Sequence, residues 1–274
     1  DPTASHYLKL LMDTIFGVMN FRNEVIWKRS FAHGDTGQGA KHFGRVTDTI
    51  LFYSMSDASK WNPQYSPYSQ EALERDYKYI EPQTSRQYRL APVDGPGGAS
   101  KGNPFYEFMG VSGYWRFSKE KMQALYNQGR IVVSSTGKSL SQKIYLDEAK
   151  GRPVVNLWDD VNRISPNARE RLGYPTQKPE ILLDRIIKAS SNEGDVVLDP
   201  FCGCGTAIIA AQKLNRKWIG IDITHLAIGL MKWRLKNMSH GPSFNVIGEP
   251  KDLAGAVELA NENKYQFQWW VVSL

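Results

Sequence analysis

Asp195-Val196-Val197-Leu198-Asp199-Pro200-Phe201-Cys202-Gly203-Cys204-Gly205-Thr206 is the stretch whose reading settles the fold. A short apolar run closed by turn residues is the pattern of a buried parallel strand, so Asp195 to Leu198 is predicted as a strand. A helix is expected from Thr206 to Leu214, a strand from Trp218 to Ile221, and a helix from Thr224 towards Lys236. Upstream, Glu180 to Ser190 has helical spacing; downstream, Phe244 to Ile247 reads as a further strand. Strands alternating with helices at this spacing predict an α/β fold with a doubly wound, parallel, Rossmann-like sheet.

In such sheets ligands bind beyond the carboxyl ends of the strands, where a glycine turn lets backbone approach them. Gly203 and Gly205 lie at that end of the predicted strand, and Asp222 ends the next one. A strand-end acid about 20 residues beyond the glycine turn is placed to accept hydrogen bonds from ribose hydroxyls. A lone Gly-x-Gly turn is often structural; here turn, helix and acid occur together. The G-x-G-x-x-G spacing is missing, which disfavours NAD or FAD.

The string Asp199-Pro200-Phe201-Cys202-Gly203-Cys204-Gly205-Thr206 resembles the D-P-F-x-G-x-G-T motif of DNA methyltransferases that use S-adenosylmethionine (SAM) and act on exocyclic amines of adenine or cytosine. Tyr174-Pro175-Thr176-Gln177-Lys178-Pro179 is similar to their (H/Y)-P-T-Q-K-P motif, which touches the methionine end of SAM. Phe21 to Trp27 and Asp48 to Tyr53 resemble distal strands of the same family. The resemblance implies SAM as cofactor, with Thr176, Lys178, Asp199, Phe201, Gly203, Gly205, Thr206 and Asp222 holding it.

The late position of the glycine turn resembles the permuted, β-type order of catalytic motif, target-recognition region and cofactor site. Four segments are then expected: residues 1–60 as the distal part of the core, 61–155 as an irregular inserted recognition region, 156–250 as the cofactor-binding part, and 251–274 as a truncated extension. The insertion loses regular alternation and interleaves aromatic with basic residues. With Lys28 and Arg29, its Arg86, Arg89, Trp115, Arg116 and Lys119 are candidate contacts to double-stranded DNA, because cations suit phosphates and rings stack on bases. A helix is expected to open at Ser118-Lys119-Glu120-Lys121.

The family's catalytic (D/N/S)-P-P-(Y/F) motif is absent. No Pro-Pro pair occurs in the 274 residues, and the nearest string, Asn62-Pro63-Gln64-Tyr65, reads as a turn. No catalytic residue is therefore assigned. The chain is expected to be a fragment whose catalytic motif lay upstream, with the central strands of its sheet missing and no activity alone. Its last stretch, Phe267 to Leu274, reads as a strand. The first helix is expected through Tyr7 to Phe16, capped by Thr3 or Ser5 and stopped by Gly17. Arg29 to Arg45 reads as a mobile Gly-rich loop.

The bulk properties agree. Net charge of +6 and a pI near 9.1 tilt towards an anionic partner. Cys202 and Cys204, one residue apart, suit neither a disulfide nor a zinc site and point to a reducing cytoplasm. His6, His33, His42, His225 and His240 share no ligand spacing, so solvent or capping roles and no metal are expected. No apolar run approaches the roughly 20 residues that span a bilayer. A restriction endonuclease partner or fused domain is the remaining expectation. Two other functions stay open: a non-catalytic DNA-binding relic, and a methyltransferase acting on RNA or a protein amide.

Overall fold

The computed structural model describes residues 4–30, 39, 41–239 and 241–273. The elements run α1 (Ser5–Phe16), β1 (Phe21–Lys28), β2 (Thr47–Tyr53), β3 (Tyr65–Ser66), α2 (Gln70–Asp76), β4 (Tyr79–Ile80), β5 (Gln87–Pro92), β6 (Phe105–Phe108) and β7 (Val111–Tyr114). They continue as α3 (Lys119–Asn127), β8 (Ile131–Val133), β9 (Leu140–Tyr145), β10 (Arg152–Pro153), β11 (Leu157–Trp158) and α4 (Glu180–Ser190). The last are β12 (Val196–Asp199), α5 (Thr206–Lys213), β13 (Lys217–Gly220), α6 (His225–Lys236), α7 (Leu253–Glu262) and α8 (Lys264–Val272). Two units divide them: residues 1–64 with 154–274, and Tyr65–Pro153.

In the first unit, β12, α5 and β13 form a parallel βαβ unit in register from Val196–Lys217 to Asp199–Gly220. The small residues of α5 let α4 lie close, and Ile187, Ala210 and Ala211 pack with Val197 and Trp218 between them. The other face of these two strands is bare: Val196, Leu198, Ile219 and Ile221 are each more than half exposed. A separate sheet pairs β1 with β2 antiparallel and with β11 parallel. Among the described residues no strand joins the two sheets, which stand as separate pieces.

Several local expectations are corrected. Phe244 to Ile247 forms no strand; Phe244 instead packs near Trp218, ring centroids 6.3 Å apart, with no neighbouring strand to pair its backbone. The C-terminal stretch is helical, not extended. Asn263 Oδ1 accepts from Tyr265 N and Gln266 N at 3.1 Å, and this cap starts α8 despite the β-branched and aromatic residues that follow. Ala4 occupies the cap of α1 with no side-chain bond, Ser5 being already helical. Thr3 lies outside the described residues, as do His33, His240 and residues 31–38 and 40 of the expected loop.

Asn62-Pro63-Gln64-Tyr65 is not a turn. Asn62 Nδ2 donates to the carbonyls of Lys188 and Ser191, both at 2.9 Å, and Asn62 N donates to Ala189 O at 2.8 Å. These bonds satisfy carbonyls at the open end of α4, where no intrahelical donor remains. The side chain that most resembles a catalytic one is thus a helix cap.

The second unit is ordered, against the expectation of an irregular insertion. A four-stranded antiparallel sheet runs β4-β5-β9-β8, and β6 and β7 form a hairpin. Cross-strand rings hold the register: Tyr79 on Tyr88 at 5.4 Å and Tyr88 on Tyr145 at 5.9 Å. α3, capped by Ser118, places Met122 and Leu125 in a core with Val93, Phe108, Trp115 and Leu140.

Two carboxylates brace this unit. Glu81 Oε1 accepts from Lys143 Nζ at 2.8 Å and Tyr145 OH at 2.7 Å, while its Oε2 takes Thr84 Oγ1. Glu148 receives Arg130 and Arg86. Lys143 foremost holds Glu81 down to about 2, and Arg130 foremost holds Glu148 to about 2, from an ordinary 4.5. A carboxylate depressed by folding contributes stability that is present above its unfolded value and is lost as pH falls towards the folded one. The urea midpoint is therefore expected to drop between about pH 5 and pH 2, and Glu81→Gln to shallow that drop. An equally steep fall in the variant would show that Glu81 contributes nothing.

Candidate functional site

The turn after β12 is bonded almost residue by residue. Asp199 Oδ1 accepts from Phe201 N at 3.1 Å, Cys202 N donates to Ile221 O at 2.9 Å, and Gly205 N to Cys202 O at 2.8 Å. Arg234 reaches in from α6 to the Cys204 carbonyl at 2.8 Å. Asp222 ties the turn to the next strand: Oδ2 accepts from Gly203 N at 2.9 Å, and Oδ1 from Thr224 N at 3.0 Å and Thr224 Oγ1 at 2.9 Å. An ionised carboxylate offers about four acceptor positions, so roughly one stays open to a ligand hydroxyl.

Both glycines are required by geometry. Gly203, at φ +49°, would set a Cβ 3.1 Å from the Tyr174 ring, so the Tyr174 segment closes directly over the turn. Gly205, at φ +77°, would set one 2.7 Å from Met231 Cγ, where α6 packs against the start of α5. Beyond the turn lies a cavity of about 220 Å3. Thr176, Lys178, Asp199, Phe201, Gly203 and Thr206 line it. Gly205 and Asp222 do not; they sit behind the wall and shape it. Tyr174, Gln177, Leu183, Ala207 and the cysteines complete the lining.

Within the Tyr174–Pro179 segment the roles divide. Gln177 is the anchor: its Oε1 accepts from Leu172 N at 2.8 Å and its Nε2 donates to Glu170 O at 2.6 Å. Thr176 and Lys178 stay exposed, and Phe201 presents a ring that is 88% exposed. Burial, then the charges of Asp199 and Asp222, push the Cys202 thiol up to about 12. It remains a protonated, buried group and not a nucleophile. The two cysteines form no disulfide, and no cluster of metal-ligating side chains occurs among the described residues. Nor is any helix there long and apolar enough to cross a membrane. His225 is seated by a backbone bond, its N donating to Gln266 Oε1 at 2.8 Å.

The expected DNA contacts separate by burial. Trp115 is only 1% exposed and its Nε1 donates to Tyr106 O at 2.8 Å, so it is a core residue of the second unit and not a base-stacking ring. The signal for that was available: it follows Val111 and Gly113 at alternate positions on one strand face. Arg86 is spent on Asp147 and Glu148 and lies 3.8 Å from the Tyr145 ring centre. Arg89 lies over Tyr77. Arg116 and Lys119 are exposed, although Arg116 Nε donates to Asp94 O at 2.9 Å. Lys28 and Arg29 belong to the first unit, at the end of β1 and just beyond it.

A parallel βαβ unit whose glycine turn is bonded to the acid ending the second strand defines a nucleoside-type cofactor site. The chain belongs to the DNA methylase family, whose N6_N4_Mtase model matches residues 1–232. It is 33% identical over 222 residues to the Type II methyltransferase M.EcaI of Enterobacter cloacae, covering 78% of this chain and 47% of that one. It is 39% identical over 130 residues to the DNA adenine methyltransferase YhdJ of Escherichia coli K12, covering 44% and 43%. The chain thus spans about half the length of the curated relatives it matches. The solved M1.HpyAVI–SAM complex aligns with 36% of this chain and 48% of that one at 32% identity, with a TM-score of 0.28; the two backbones do not superpose closely.

Proposed function

We propose that this chain carries the SAM-binding half of a methyltransferase that modifies the exocyclic amine of adenine or cytosine in DNA, and that it transfers no methyl group alone. The observation that carries the cofactor reading is the Gly203–Asp222 bond at 2.9 Å, which holds the turn open against the exposed Phe201, Thr176 and Lys178. The residues fit the group. Asp199 keeps Oδ2 available for an ammonium, Lys178 offers a cation to a carboxylate, Phe201 offers a face to a flat ring, and Asp222, behind the wall, keeps one acceptor position for a ribose hydroxyl. When bound, SAM supplies an electrophilic methyl on its sulfonium. The chain's own residues bind and orient it.

The inactivity follows from content. A target amine must be held by hydrogen bonds that expose its lone pair, and the Pro-Pro motif that does so in the family is missing from these 274 residues. Calorimetry with SAM and a labelled-methyl assay on duplex DNA test both halves of the reading. Binding with no transfer is expected. Detectable methylation by the 274-residue protein would overturn the inactivity, and no heat of SAM binding would overturn the cofactor assignment.

A further inference from the structure

Beside the cofactor cavity, in the same unit, lies a second cavity of about 470 Å3 that shares Tyr174, Thr176, Gln177 and Lys178 as a common wall. Its remaining charged lining is Arg29, Arg45, Arg163 and Arg171, against the single carboxylate of Asp48. Elsewhere several arginines each face a carboxylate of their own: Arg22 with Asp57, Arg75 with Asp76, Arg130 with Glu148 and Arg185 with Asp160. In the cavity, Arg29 Nε stands 3.7 Å from Asp48 Oδ1, and that buried nitrogen has no hydrogen-bond acceptor. Among the described residues the Arg171 side chain donates only to the Pro166 carbonyl, at 3.1 Å. The side chains of Arg45 and Arg163 make no hydrogen bond or ion pair among the described residues.

Like charges held around one concavity repel, and a buried donor without an acceptor costs free energy; both costs are lifted by a bound anion. We infer that this cavity seats backbone phosphates of DNA, with Arg45 and Arg163 as their principal partners and Arg29 and Arg171 around them. Four arginines exceed what one carboxylate of a small ligand requires, whereas duplex DNA presents closely spaced phosphates that guanidinium groups grip in bidentate fashion. The inference rests on DNA being the substrate, as proposed above. It adds where the strand is gripped: one wall away from the cofactor, so that phosphate and SAM are held by opposite faces of the same short segment.

The salt dependence of binding to a fluorescent duplex tests it on the full chain. Each phosphate contact contributes about 0.9 to the slope of log affinity against log salt, so Arg45→Gln with Arg163→Gln is expected to lower the slope by about 2 and the affinity about 10- to 100-fold at 0.1 M salt. SAM affinity, read by calorimetry, should stay within about twofold of wild type, because neither arginine lines the cofactor cavity. The charge-keeping pair Arg45→Lys with Arg163→Lys should keep the slope. An unchanged slope in the glutamine pair, or an equal loss in the lysine pair, overturns the inference. Wild-type protein that binds SAM but no duplex also overturns it and leaves the cofactor reading standing. Binding of duplex with the predicted slope change, but not of SAM, overturns the cofactor reading alone.

Discussion

Gly205→Ala is expected to be a severe single-methyl change in the cofactor unit, lowering stability by about 2–5 kcal/mol. Two costs add. A left-handed backbone, here φ +77° and ψ 30°, costs an L-residue about 1–2 kcal/mol. Forcing a methyl into a filled core costs about 1–3 kcal/mol, and the added carbon would stand 2.7 Å from Cγ and 3.2 Å from Cβ of Met231, which is buried and cannot swing away at its root. Gly194→Ala separates the two, since Gly194 has φ +80° but nothing within 4 Å of its would-be Cβ. It should lose only the backbone share. A thermal scan of both variants checks the argument, with Met231→Ala in the Gly205→Ala background recovering the steric share. Equal losses for Gly205→Ala and Gly194→Ala would remove contact with α6 as the reason for this glycine.

Asp222→Ala is the second large effect, expected to weaken SAM binding roughly 10- to 100-fold, because hydrogen bonds to a charged group are worth about 1.5–3 kcal/mol. In the proposed reading the carboxylate acts on two levels. It accepts from Gly203 N and from two donors of Thr224, so the alanine variant loosens the turn as well as removing a ligand acceptor. Asp222→Asn distinguishes them. With its amide oxygen towards Thr224, its NH2 faces Gly203 N–H, a donor against a donor, and the turn loses its anchor while the α6 end keeps its own. Calorimetry with SAM and a urea titration read the two levels in parallel. Full SAM affinity in the alanine variant would end the ribose assignment.

How much of this was legible beforehand depended on how local the cause was. α4 spans Glu180–Ser190, as the helical spacing predicts; α5 and β12 differ from their predicted bounds by a single residue at one or both ends. Each is specified by an apolar pattern and a nearby cap or turn. The misreadings share a different cause. Phe244 to Ile247 has strand composition but no partner strand, and a strand without a ladder is not a strand. Residues 264–272 have the same composition, yet Asn263 caps them into a helix that packs on α6 and α7. The region between Tyr65 and Pro153 lacks aliphatic alternation because tyrosine rings and ion pairs carry its register, so its sheet was invisible to a search for apolar periodicity.

The cofactor site divides along the same line. Residue order alone specified the glycine turn, the strand-end acid and the Tyr174–Pro179 motif, because close backbone approach and strand-end placement each demand particular residue types at short spacing. Three-dimensional packing decided the rest. It put Asp222 under Gly203 and not in the cavity wall, made Gln177 the anchor of its motif, sent Trp115 to a core, and turned Asn62 into a cap for α4. It also gathered Arg29, Arg45, Arg163, Arg171 and Lys178 around one cavity. Arg29 and Arg45 are far from the other three along the chain, and only the folded backbone brings their charges within interacting distance.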